Sequence, residues 1–75
     1  MLKSEILGIL KELKGGYFEE ETNLITGGFI NSFELIKLIE ELEKRYFIII
    51  PIEAIEPEAF NSVEGISELV SRLMD

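Results

Sequence analysis

The sequence predicts one all-α domain over residues 1–75, a four-helix bundle with three main helices and one short helix. First, apolar residues recur at three- and four-residue intervals in three separate stretches. Second, glycine, proline and capping residues separate these stretches. Third, a single segment has strong strand propensity, and an isolated strand would leave its backbone unpaired. Seventy-five residues with 47% hydrophobic content suit one core and are too few for two.

The first helix is predicted over about residues 3–14. Ser4 is a candidate N-cap, and Gly15 with Gly16 is a stop signal. One face of this helix carries a row of apolar side chains: Leu2, Ile6, Leu7, Leu10 and Leu13. Residues 15–30 have no sustained period but hold many large apolar side chains: Tyr17, Phe18, Leu24, Ile25 and Phe29. We therefore predict a long ordered loop that packs these side chains under the helices.

The second helix is predicted from Ser32 to about Arg45. As the N-cap, Asn31 can accept a hydrogen bond from the Glu34 N–H while the Glu34 side chain reaches back, which forms a capping box. This arrangement leaves Ser32 at the first helical position with its hydroxyl uncommitted. At about 100° per residue, one arc of this helix carries its core-facing side chains: Leu35, Leu38, Ile39, Leu42 and Tyr46.

A second face of the same helix places large apolar side chains outside the core arc. Phe33 and Ile36 fall on the same side as Ser32, together with Glu40 and Glu43. Isolated exposed apolar residues are common in proteins, and Phe33 could pack back against the preceding loop. Alternatively, these residues form a docking face with an apolar centre and an acidic rim, whose partner carries a basic patch. We use the name docking face for Phe33, Ile36, Glu40 and Glu43.

The C-terminal third begins with residues 46–52, which have the propensity of a buried strand. Because no second strand is predicted, we expect an extended, partly buried connection closed by Pro51. Pro57 begins one short helical turn. Either Asn61 or Ser62 caps the last helix, and Asn61 with Glu64 repeats the capping-box spacing. The last helix carries an apolar stripe: Val63, Ile66, Leu69, Val70 and Leu73.

Composition limits the chemistry available to this chain. It has no Cys, His or Trp, so it lacks a thiol nucleophile, a neutral-pH proton shuttle and the usual zinc ligands. We therefore expect a protein that is not itself an enzyme. Fifteen acidic and seven basic residues give a formal charge of −8, which repels nucleic acid and anionic lipid and attracts basic protein surfaces. With no signal-peptide pattern at the N-terminus, we expect a cytoplasmic monomer without a membrane partner.

Two site hypotheses were tested against the spacing of the residues. Residues 23–34 place Gly28 and Glu34 at the sixth and twelfth positions of an EF-hand loop. However, Ile25 and Gly27 occupy the third and fifth positions and offer no side-chain oxygen, so no metal site is predicted. Ser32 cannot be a hydrolytic nucleophile without a general base. It is either an ordinary serine at a helix start or a residue that another enzyme modifies.

The stretch Gly28-Phe29-Ile30-Asn31-Ser32-Phe33 resembles the attachment motif of acyl and peptidyl carrier proteins, Gly-x-x-Asp-Ser followed by a hydrophobic residue. The resemblance continues through the second helix, Ile50-Pro51 and the spacing Phe60-x-Ser62-Val63-x-x-Ile66. It covers nearly the whole chain in order. The residues around Ser32 and Phe60 are more similar to those of stand-alone peptidyl or D-alanyl-type carriers than to those of fatty-acid carriers.

This resemblance implies that Ser32 receives a 4′-phosphopantetheine arm from coenzyme A through a phosphopantetheinyl transferase. The arm would hold an acyl or aminoacyl group as a thioester, in fatty acid or nonribosomal peptide biosynthesis. An adenylating ligase or acyltransferase with a basic docking patch would load it at the docking face. Asn31 stands where the family has an Asp that helps the transferase and its metal ion engage the carrier. An unmodified acidic interaction module with the carrier fold is the alternative.

Overall fold

The computed structural model describes residues 2–16, 18 and 21–75. This part of the chain contains four α-helices: α1 (Leu2–Leu13), α2 (Ser32–Tyr46), α3 (Pro57–Phe60) and α4 (Val63–Met74). A 3-10 turn at Ile52–Ala54, which the sequence did not predict, precedes α3. Extended pairing in the described residues is limited to an isolated bridge between Thr22 and Ser62. The prediction of an all-α fold with three main helices and a short one is confirmed.

Helix α1 begins earlier than predicted. Because it already includes Leu2, the exposed Ser4 lies inside the first turn, and its predicted role as N-cap is wrong. Leu2 packs against the core, which favours extending the helix to include it. Ile9, absent from the predicted stripe, is buried beside Ile6 and Leu10 and widens the apolar face.

The core lies where α1 packs against α2 and α4, with α3 packed on α4. Helix α2 buries Leu38 and Leu42 and places Leu35, Ile39 and Tyr46 at the edge of the core, as its wheel predicted. The buried apolar side chains are Ile6, Ile9, Leu10, Phe18, Leu24, Ile30, Leu38, Leu42, Ile48, Ile50, Phe60, Val63, Ile66, Leu69 and Val70. No helix in the described part of the chain combines the length and the apolar character needed to cross a bilayer.

The connection after α2 is not a strand and is partly buried, as predicted. Helix α2 ends at Tyr46, and its C-cap, Phe47, has a left-handed backbone with φ of 55° and donates its backbone N–H to the Glu43 carbonyl. Ile48 and Ile50 are buried. The Glu43 carboxylate accepts the Ile50 N–H at 2.9 Å, so a side chain supplies the partner that a neighbouring strand would otherwise provide.

The start of α4 resolves the choice between two candidate caps. The Ser62 hydroxyl accepts the Gly65 N–H at 2.9 Å, so Ser62 is the N-cap. The predicted Asn61–Glu64 capping box is wrong. Asn61 Oδ1 instead accepts the backbone N–H groups of Ile25 at 2.8 Å and Thr26 at 3.1 Å. The loop before α2 is thereby fastened to the α3–α4 junction.

The predicted ordered loop is confirmed at most of its described apolar positions. Phe18, Leu24 and Ile30 are buried, and Ile25 packs at the core edge. Phe29 is more exposed and meets the Phe18 ring edge to face, with the ring centroids 6.5 Å apart. The prediction for Tyr17 lies outside the described residues.

Tyr46 links α2 to α1, because its hydroxyl donates to Glu5 Oε1 at 2.8 Å. Burial, and then the hydrogen bond to Glu5, raises the pKa of Tyr46 from 10.0 to about 12. Since the folded pKa is raised, the stability from this group is complete below about pH 10 and is lost as the pH rises toward 12.

A spectroscopic titration checks this pH dependence. We expect the ultraviolet absorbance of phenolate to show a step near pH 12. Tyr46→Phe should remove that step. Ionisation of Tyr46 that is complete near pH 10 would contradict the prediction.

Candidate functional site

A tight turn delivers the chain to α2. Gly28 has a left-handed φ of 78°, a conformation that glycine adopts without steric cost. A Cβ on Gly27 would lie 2.5 Å from the Asn23 carbonyl oxygen, which the Gly27 N–H itself approaches at 2.7 Å. The Ile30 N–H donates to the Leu24 carbonyl at 3.0 Å and closes the loop over buried Leu24. These contacts set the direction from which the backbone enters α2.

The predicted capping box at the start of α2 is confirmed. Asn31 Oδ1 accepts the Glu34 N–H at 2.8 Å, and Glu34 Oε1 accepts the Asn31 N–H at 3.1 Å. Ser32 is the first residue of the helix and is exposed. Its hydroxyl has no hydrogen-bond partner among residues 2–16, 18 and 21–75. The cap is therefore complete without Ser32, whose hydroxyl is accessible to an external reagent.

Lys14 adds a contact to this site that the sequence analysis did not find. Its Nζ donates to Glu34 Oε2 at 2.9 Å and to Oε1 at 3.1 Å. This hydrogen bond, and then the one from the Asn31 N–H, lowers the pKa of the Glu34 carboxyl, against the opposing effect of burial. The two residues are 20 positions apart, and no local pattern connects them.

The apolar centre of the docking face lies in solvent. Phe33 is 66% exposed and Ile36 is 57% exposed, so Phe33 does not pack back against the preceding loop. Lys37 Nζ lies 5.1 Å from the centroid of the Phe33 ring, a cation–π geometry within one helical turn. Phe33 and Ile36 lie one and four residues after Ser32, within about one turn of α2.

The acidic rim of the docking face is less uniform than its sequence predicted. Glu40 is exposed, but Glu43 is half-buried and uses one carboxylate oxygen to hold the Ile50 N–H. Lys37 and Lys44 line the same groove between α1 and α2 as Glu40. Of the two predicted acidic contacts, Glu40 is therefore the one whose carboxylate is uncommitted to the fold in the described contacts.

An open depression lies directly beside Ser32. It has a volume of about 350 Å³ and is lined by Ile25, Gly28, Ile30, Asn31, Ser32 and Leu35. Its lining is mostly apolar. A group attached to Ser32 would therefore have both solvent and an apolar surface within reach.

Three nearly fully exposed apolar side chains follow α2, and the sequence did not predict their exposure. Phe47 is 95% exposed, Ile49 is 82% exposed and Ile52 is 83% exposed. Phe47 and Ile49 alternate with buried Ile48 and Ile50. Because residues 46–50 are apolar at every position, the sequence has no signal that separates the exposed side chains from the buried ones. Phe47 also adopts a left-handed backbone that bulky residues rarely occupy.

Within the described ranges, no three acidic side chains are grouped so that they could hold a metal ion. No protein-family model matches the chain, and comparison with curated protein sequences found no match.

Proposed function

We propose that this chain is a carrier protein of the acyl or peptidyl carrier type, with Ser32 as the attachment residue for 4′-phosphopantetheine. The observation that carries the proposal is the exposed Ser32 hydroxyl at the first residue of α2, beside a capping box that does not use it. Ser32 occupies the serine position of the carrier-protein motif that the sequence resembles.

The order of the helices supports a carrier fold. A long connection joins α1 to α2, and a single-turn α3 precedes α4. Ile25 of this connection is bound to Asn61 at the α3–α4 junction. The carrier resemblance implies this sequence of three main helices and one short helix. We propose the acyl-carrier-like bundle as the specific form of the all-α fold.

The surroundings of Ser32 fit a phosphopantetheine group. The first turn of α2 presents the positive end of the helix dipole, which favours a phosphodiester anion at this position. The apolar depression beside the serine can accept part of an attached chain. The chain itself has no cysteine, and the bound arm would supply the thiol that forms a thioester.

In the proposed priming step, the Ser32 hydroxyl loses its proton as its oxygen bonds to the phosphorus of the transferred group. The nucleotide part of coenzyme A is the leaving group. The transferase supplies the base, because this chain has no histidine. Asn31 and Glu34 hold the backbone at the start of the helix in place during transfer.

The docking face is the proposed contact for partner enzymes. Phe33 and Ile36 offer exposed apolar area next to Ser32, and Glu40 offers a negative charge. An adenylating ligase or acyltransferase with an apolar site and a basic patch would match this surface. The cargo in this proposal is an acyl or aminoacyl group.

Intact-mass measurement after incubation with coenzyme A and a broad-specificity phosphopantetheinyl transferase tests the proposal. We expect the wild-type mass to increase by one phosphopantetheine group and Ser32→Ala to show no increase. Asn31→Asp is the matched variant, because it keeps the capping oxygen and restores the family's acidic residue. It should be primed faster than wild type. An unchanged wild-type mass, or a gain that persists in Ser32→Ala, would overturn the proposal.

The alternative function, an unmodified acidic interaction module, is favoured by Asn31 in place of the family's Asp and by the exposed Phe47 and Ile49. It predicts an unmodified protein in its host and a partner whose affinity is unchanged in Ser32→Ala. Two measurements separate the two functions: the intact mass of the protein purified from its host, and the affinity of the Ser32→Ala variant for that partner.

A further inference from the structure

We propose that Lys14 is a positioning residue for Ser32, because it anchors the Glu34 carboxylate that closes the capping box at the start of α2. This inference rests on the proposed carrier function. In this inference, a residue at the C-terminal end of α1 helps to position Ser32 for the transferase.

The shared carboxylate is the centre of the argument. Glu34 Oε1 accepts both the Asn31 N–H at 3.1 Å and Lys14 Nζ at 3.1 Å. Glu34 Oε2 accepts Lys14 Nζ at 2.9 Å. Lys14 therefore fixes the orientation of the carboxylate whose other contact holds the backbone N–H next to Ser32.

The lysine is itself well placed to act as an anchor. The backbone N–H of Lys14 donates to the Leu10 carbonyl at 3.0 Å, which continues the helical hydrogen-bond pattern one residue past α1. The side chains of Lys14 and Glu34 are 27% and 20% exposed, so the pair is shielded from much of the solvent. A shielded pair of this kind holds its geometry better than the exposed pairs Lys3–Glu64 and Arg45–Glu41.

Loss of Lys14 would leave the Glu34 carboxylate partly buried without its cation. Glu34 would then turn toward water, and the Asn31 N–H would lose its acceptor. The first turn of α2, which contains Ser32, would fray. Since group transfer needs the reacting oxygen held within a narrow range of positions, the turnover rate should fall. Of the docking face, Phe33 lies in this turn, whereas Ile36 and Glu40 lie beyond it, so most of the contact with the transferase should be retained.

Steady-state priming kinetics with a phosphopantetheinyl transferase test the inference on the full chain. Lys14→Met should lower kcat roughly three- to tenfold, the effect of losing about one capping interaction, with KM within about twofold of wild type. Lys14→Arg should restore kcat, because it retains a cation within reach of Glu34. Lys11→Met is the matched control: it removes the same charge from an exposed position on α1 and should leave kcat unchanged.

Two further measurements keep the test decisive if Lys14→Met is unstable. Glu34→Gln keeps an oxygen for the Asn31 N–H but removes the charge that Lys14 binds, so its kcat should also fall. Amide hydrogen exchange at Asn31 should accelerate in Lys14→Met and not in Lys11→Met. Equal kcat in wild type, Lys14→Met and Glu34→Gln would overturn this inference and leave the carrier function standing. Absence of priming in wild type would overturn both.

Discussion

Leu38→Ala should lower the free energy of unfolding by roughly 2–5 kcal/mol, whereas Ile36→Ala should change it by less than about 0.5 kcal/mol. Leu38 is 0% exposed inside the core between α1, α2 and α4, and truncation there removes apolar contacts and leaves a cavity. Ile36, two residues earlier on the same helix, is 57% exposed and loses little contact on truncation. The pair isolates burial as the variable, because both positions lie in α2 and both changes delete aliphatic atoms.

Chemical denaturation of both variants, monitored by helical circular dichroism, measures this difference. A 75-residue domain has a small total stability, so the Leu38→Ala transition should occur at much lower denaturant than wild type. Ile36→Ala should weaken binding of the transferase or loading enzyme while its unfolding curve stays close to wild type. If Ile36→Ala lowers the free energy of unfolding as much as Leu38→Ala does, Ile36 belongs to the core and its assignment to the docking face is wrong.

Asn61→Ala should destabilise the fold by about 1–3 kcal/mol, because it removes one acceptor that serves two backbone donors. Asn61 Oδ1 holds the N–H groups of Ile25 and Thr26 in the loop that leads to Ser32. The alanine variant would leave the part-buried Ile25 N–H without its partner. The loop should loosen, and the rate of Ser32 priming should fall together with stability.

Hydrogen exchange at the Ile25 and Thr26 amides gives a local measurement of this effect. Both amides should exchange faster in Asn61→Ala than in wild type. Asn61→Asp is the matched control, since it keeps an oxygen acceptor of the same size and should preserve most of the protection. Protection that survives in Asn61→Ala would show that the backbone contact from Leu24 N–H to the Asn61 carbonyl, at 2.9 Å, is sufficient to hold the loop.

The local rules of helix formation were enough to predict the centre of the candidate site. A capping box depends on residues three apart, so Asn31 and Glu34 could be paired from their spacing alone. The uncommitted Ser32 hydroxyl follows from that pairing. The position of Phe33 and Ile36 outside the core arc follows equally from the helical period, because that arc is set by the other apolar residues of α2. That Phe33 is exposed and does not pack against the preceding loop was decided by the structure.

Contacts between distant segments decided what these rules could not. Asn61 and Ser62 are equally good caps by residue type, and Ser62 takes the role because Asn61 binds backbone 36 residues earlier. The Lys14–Glu34 pair depends on how the end of α1 meets the start of α2. The exposure of Phe47, Ile49 and Ile52 depends on which side of the connection faces the core.

The sequence by itself therefore determined the helices, the cap at Asn31 and the accessibility of Ser32, since each depends on residues within about one or two helical turns. Tertiary structure determined how that serine is held. Lys14 binds the Glu34 carboxylate in the first turn of its helix, and Asn61 binds the backbone of the loop that precedes it. The physical reason is that side-chain hydrogen-bonding groups with several possible partners are assigned by the packing of distant segments. Their own neighbours in the chain do not decide between those partners.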